Sequence, residues 1–233
     1  MPKHLQTEID NLKKKILALG GVVEENLRQA VKSVGVRDLK LANAVIDKDT
    51  QIDQAEVELE EDCLKILALH QPVAIDLRFI IAVLKINNDL ERIGDEAVNI
   101  AERGAFLATQ KTAGMPVFNY SEMADKAQFM LRVSLDSLVR LDAVMAGDVC
   151  ALDDEVDAMN RKIFSEVKDA IRTHPEHLDS LVHLLGISRH LERIADHATN
   201  IAEDVIYMTE GIIARHRHED FTLGDKKYNS KLR

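Results

Sequence analysis

Eight acidic residues fall into four pairs with one internal spacing: Asp49 and Asp53, Glu91 and Asp95, Asp153 and Asp157, Glu192 and Asp196. On a helix, a separation of four residues puts both members on one face a turn apart, where like charges cost a few tenths of a kcal/mol unless a cation compensates. Asp49 precedes Glu91 by 42 residues and Asp153 precedes Glu192 by 39. Antiparallel packing of consecutive helices can therefore set each Asp pair beside its Glu/Asp pair, giving two ledges of four carboxylates. Oxygen-only ligands suit hard cations such as Mg, Ca, Mn or iron. A single pair is most simply a solvated acidic face; four pairs duplicated in register point to a ligand.

The duplication is explicit. Residues 89–102 read DLERIGDEAVNIAE and residues 190–203 read HLERIADHATNIAE, with ten of fourteen positions identical at an offset of 101. Half of the identities are polar, which packing alone does not demand. Leu90, Ile93, Ala97, Ile100 and Ala101 form an apolar stripe, and Glu91, Asp95 and Glu102 cluster roughly 150° around from its centre. Arg92 and Arg193 read most simply as salt-bridge partners on their own helices. Asn99 and Asn200 suit either the acidic face or a bond between helices, and His197 reads as a surface histidine.

These residues must be carried by long helices. Leu5, Ile9, Leu12, Ile16, Leu17, Leu19 and Val23 recur at helical spacing, and comparable patterns run 25 residues or more between breakers. Pro72 and Pro175 read as helix restarts, Pro116 as part of a linker, and Gly35 to Asp38 as a break. Gly147-Asp148 reads as a further break, with Asp148 as N-cap of the helix after it. The pattern predicts six helices near 4–35, 38–70, 73–110, 121–146, 148–173 and 175–215, the first bent or closely packed at Gly20-Gly21. The restart prolines lie 103 apart. The fold class is therefore all-α, two tandem pseudo-symmetric three-helix bundles, spanning 1–110 and 121–215, with a linker at 111–120 and a frayed tail at 216–233.

Composition narrows the function. Forty acidic against 30 basic residues give a net charge of -10, which disfavours nucleic acid as a partner. No Trp, ten Gly and four Pro in 233 residues disfavour turn-rich β folds. Cys63 and Cys150 stand alone, without the spacing of a disulfide framework or thiolate zinc site; they read as helix core or edge residues in a reduced, cytoplasmic setting. The longest apolar run is the six residues Phe79 to Leu84, far short of the roughly 20 that cross a bilayer. With Lys3, His4, Glu8 and Asp10 near the start, no signal peptide is expected, and membrane contact would come only through partners. The sequence has no Glu-x-x-His, HExxH, GxxxxGK[ST], GxSxG or GxGxxG, so the familiar di-iron, zincin, nucleotide and hydrolase constellations are missing.

NNDLERIGDEAVNIAERG and SRHLERIADHATNIAEDVIYMTEG, with HQPVAIDLR leading into the first, resemble the PhoU family of phosphate-uptake regulators over nearly the whole chain. The resemblance implies tandem three-helix bundles whose E(D)xxxD motifs bind divalent or trivalent metal ions, as iron or zinc clusters or with Mg or Mn. It assigns Asp49, Asp53, Glu91 and Asp95 to one site and Asp153, Asp157, Glu192 and Asp196 to the other. Arg78 of the first half has no counterpart in Pro175 to Leu181, so any role it has is not duplicated. The resemblance also implies a cytoplasmic homodimer, not an enzyme, that represses the phosphate-starvation response between the ATPase subunit of the phosphate ABC transporter and a sensor histidine kinase. A carboxylate-metal enzyme, such as a phosphohydrolase, is the alternative; the acids' place on outward helix faces without a catalytic loop favours binding over turnover.

Overall fold

The computed structural model describes residues 3–111 and 113–211. They form six α-helices: α1 (Lys3–Val36), α2 (Leu39–His70), α3 (Ala74–Thr109), α4 (Ser121–Arg140), α5 (Ala143–Thr173) and α6 (Leu178–Glu210), with a 3-10 turn at Pro175–His177. There is no strand among the described residues. The all-α expectation is met, and most helix ends lie within two residues of the expected positions. The tail expected at 216–233 lies outside the described residues.

Each bundle forms because one stripe of each helix must leave water. Leu5, Ile9, Leu12, Ile16, Leu19, Val23, Leu27 and Ala30 of α1 are all buried, at the spacing of a single helix face. The core they join is continuous through both halves. Gly20-Gly21 does not interrupt α1. A Cβ at Gly20 would lie 2.9 Å from Leu135 Cδ1, so this glycine lets α4 approach closely. Residues 111 and 113–120 carry no helix.

The break between α4 and α5 falls earlier than the sequence suggests. Gly147 lies buried inside α5, and α4 ends at Leu141, whose φ of 53° is left-handed. Asp142, not Asp148, is the N-cap: its side chain accepts from the amides of Val144 and Met145. The same device opens α2, where Arg37 has φ 52° and Asp38 accepts from the amides of Lys40 and Leu41. Glycine is the usual helix terminator, but here packing between helices sets the turns at Arg37 and Leu141 rather than at Gly35 and Gly147. Asp142→Ala is expected to cost about 1 kcal/mol, and Asp148→Ala less than about 0.5 kcal/mol. Denaturant midpoints of the two variants check the assignment, and a reversed order would refute it.

The halves meet along α3 and α6. Lys85 pairs with Asp204, Glu96 with Arg193, and Phe106 stacks on His183. Rising numbers on one helix meet falling numbers on the other, so the two run antiparallel.

Candidate metal centre

The sequence-predicted acids of each half come within electrostatic reach of one another across two packed helices. In the first half, α2 packs antiparallel on α3 across the Pro72 break, and the Asp49 carboxyl feels the charges of Asp53 and Asp95. Burial first, then those two charges, push it up to about 6. Glu91 and Asp95 are raised as well, burial again first and with Asp53 contributing to both. The close approach of the helices has a local cause. A Cβ at Gly94 would meet Ile52 at 3.2 Å and Asp49 Oδ1 at 3.7 Å, so the missing side chain lets α2 settle over the ledge. Glu56, which the pair spacing did not single out, joins the group: its charge acts on Glu91, and its own carboxyl is raised by burial, then Glu60 and Asp53.

The second half repeats the arrangement between α5 and α6. Asp196 is itself exposed, yet the protein around its carboxyl, then Asp153, Glu192 and Asp157, push it up to about 6. Glu192 is raised by burial and then by Asp157, with Asp153 also acting on it. The surroundings differ from the first half. Thr199, where the first repeat has Val98, donates its hydroxyl to Asp153 at 3.3 Å, and Asp157 is held by Arg161 at 3.3 Å.

The expectation that these acids face outward therefore needs refinement. Glu91 and Asp95 are half-buried, because the neighbouring helix covers the face opposite the apolar stripe; Glu102, assigned to the same face, stays exposed. Among the described residues, no group of three His, Cys, Asp or Glu side chains is already drawn together tightly enough to hold an ion. The donors themselves suit a hard cation in kind: eight carboxylates in two groups of four, six of them half-buried and Asp53 and Asp196 exposed. Cys63 and Cys150 are buried, and burial pushes each thiol up to about 12, which matches their reading as helix core or edge residues.

The raised carboxyls fix a sign. An acid whose folded pKa exceeds its unfolded value stabilises the fold fully below the unfolded pKa, near 4, and loses that contribution as pH rises through the folded value. For Asp49 and Asp196 the window is about pH 4 to 6. In chelator, an Asp49→Asn, Asp196→Asn double variant is expected to lose less of its melting midpoint between pH 5 and 7 than the parent chain. Identical losses in the two proteins would overturn the assignment.

A second polar constellation, which the sequence reading missed, lies on the opposite faces of α3 and α6. Glu96 is buried and meets His190 Nδ1 at 2.5 Å and Arg193 at 2.8 Å. Arg103 Nε donates to His190 Nε2 at 2.8 Å. Burial raises the Glu96 carboxyl, but the hydrogen bond from His190 and the charge of Arg193 outweigh it and hold it below its usual range. His197, expected at the surface, is only partly exposed and pairs with Asp89 at 2.8 Å, where Asn200 also donates. Arg92 does pair on its own helix, with Glu91, whereas Arg193 reaches the other half. Asn99 stays on α3, donating to Glu96, and Asn200 bridges helices.

Comparison with known proteins places these features. The profile of the PhoU domain matches residues 16–104 and 120–205, one copy in each half. A phosphate-specific transport system accessory protein PhoU homologue of Pseudomonas putida is 36% identical, aligned over 92% of this chain and 84% of the relative. One of Aquifex aeolicus is 37% identical over 91% of this chain and 95% of its own length. The crystal structure of PhoU from Pseudomonas aeruginosa is similar with a TM-score of 0.84 and 37% identity, covering 89% of this chain and 99% of that one. That of the phosphate transport system regulatory protein PhoU from Streptococcus pneumoniae gives 0.83 and 28%, covering 90% and 98%.

Proposed function

The chain belongs to the PhoU family, and on that footing we propose that it is an accessory protein of a phosphate-specific transport system, a metal-binding adaptor that restrains the phosphate-starvation response when phosphate is plentiful. The observation that carries the reading is the match to whole PhoU chains, with 99% of the Pseudomonas aeruginosa structure covered at 37% identity. Relatives named as transport accessory proteins support a role in binding rather than turnover. Among the described residues, no helix is long and apolar enough to cross a membrane, which suits a protein that meets the membrane through its partners. Those partners are the ATPase subunit of the phosphate ABC transporter and a sensor histidine kinase, met in the cytoplasm by a homodimer of this chain.

Asp49, Asp53, Glu91 and Asp95 would hold one divalent or trivalent cation centre, and Asp153, Asp157, Glu192 and Asp196 the other. A bound cation supplies neutralising charge and a cross-link between neighbouring helices. The chain's own part is to keep α2 against α3 and α5 against α6. Helices pinned in this way present a preformed surface, which lowers the ordering cost of docking.

Deleting the gene is expected to leave phosphate-starvation genes switched on in rich phosphate, and the tagged chain should recover the transporter ATPase or the kinase from membranes. Normal repression after deletion would refute the reading. So would metal-dependent, saturable hydrolysis of a phosphate ester by the purified protein, which favours the enzyme instead.

A further inference from the structure

Two of the polar pairs between the halves are related by the repeat. Adding 101 to an α3 residue and subtracting 101 from its α6 partner turns Asp89 with His197 into His190 with Glu96, and both pairs are present, at 2.8 Å and 2.5 Å. The same operation turns Lys85 with Asp204 into Gly186 with Arg103. Lys85 meets Asp204 at 2.9 Å, and the Arg103 side chain occupies the position a Cβ would take at Gly186. The α3–α6 seam therefore has the contact pattern of a twofold dimer of repeats joined in one chain. Asp89/His190 and Glu96/His197 are two of only four positions at which the fourteen-residue repeats differ, and these two face each other across the seam.

Their divergence decides which surfaces fit. If α3 met the α3 of a second copy in this geometry, Asp89 would face Glu96 and Lys85 would face Arg103. If α6 met a second α6, His190 would face His197. Only the heterotypic pairing sets each acid against a histidine and Lys85 against Asp204.

We infer that the α3–α6 seam is a selectivity lock, in which charge has been divided between the repeats so that the first half accepts the second half and rejects a copy of itself. Like charges brought together in a desolvated interface cost several kcal/mol, and rejection of this kind is how related surfaces are kept from pairing wrongly. The lock also fixes the two carboxylate ledges on one body, since Glu91 and Asp95 lie between Asp89 and Glu96 on α3.

The test exchanges one pair in the full chain. Asp89→His alone and His197→Asp alone each set like groups against each other, and each is expected to lower the melting midpoint by roughly 5 °C. The double exchange restores an acid–histidine pair and should regain most of that loss. It also makes both faces more self-complementary, with the introduced histidine opposite Glu96 when α3 meets α3 and the introduced aspartate opposite His190 when α6 meets α6. Refolded from denaturant at high concentration and weighed by light scattering, the double exchange should form a several-fold larger share of associated species than the parent chain. A double exchange as unstable as the single variants, or no more associated than the parent, would overturn the proposal.

Discussion

Replacing Glu96 by alanine is expected to lower stability by about 3 kcal/mol, the usual order when a buried carboxylate is removed and the groups hydrogen-bonded to it stay behind. Both side chains of the Glu96–His190 contact are buried, 6% and 9% exposed, and Arg103 and Arg193 converge on the same place. Without Glu96 this cationic group loses the acid it is bonded to, and a melting midpoint roughly 10 °C lower should follow. The adjacent residue behaves oppositely. Burial first, then the charges of Asp53 and Glu96, push the Asp95 carboxyl up, so Asp95→Asn in chelator should raise the midpoint. Thermal unfolding of both variants measures the contrast, and equal losses would mean that the two faces of α3 do not have the separate roles described.

The second large effect is stabilisation by cations. A ligand that binds only the folded state at a hundred times its dissociation constant adds about 2.7 kcal/mol, and two such centres would raise the midpoint by roughly 10–20 °C. Asp49→Asn with Asp95→Asn should remove about half of the rise, because the second half keeps its own four acids. Titration with iron, zinc, manganese and magnesium into metal-free protein reads this directly. A midpoint unmoved by all four would remove the metal from the account while leaving the family assignment intact.

The helices and the two ledges were legible because both depend on short-range periodicity. Leu5 to Val23 mark the buried face of α1, and an i, i+4 acid pair stays an i, i+4 pair wherever its helix goes. The duplication then placed the pairs relative to one another. What escaped the sequence depended on how elements meet. Gly147-Asp148 carries a stronger local break signal than Leu141-Asp142, yet the chain turns at Leu141, because α4 and α5 must end where packing on α1 and α6 lets them. The seam escaped for a related reason: its chemistry lies outside the ten repeated identities, in two of the four differences. Asp89 opposite His190 in the alignment, and Glu96 opposite His197, form a reciprocal acid-for-histidine exchange, a signal of internal pairing present in the sequence itself.

The most direct measurement of the central claim, that the carboxylate ledges serve control of phosphate transport, is complementation. Cells lacking the gene receive either the parent chain or a folded variant with Asp49, Asp95, Asp153 and Asp196 all changed to Asn, and phosphate-starvation gene expression is read in rich phosphate. The parent chain is expected to restore repression and the variant to leave the genes on, although its helical content and abundance match. Full repression by the variant would contradict the account.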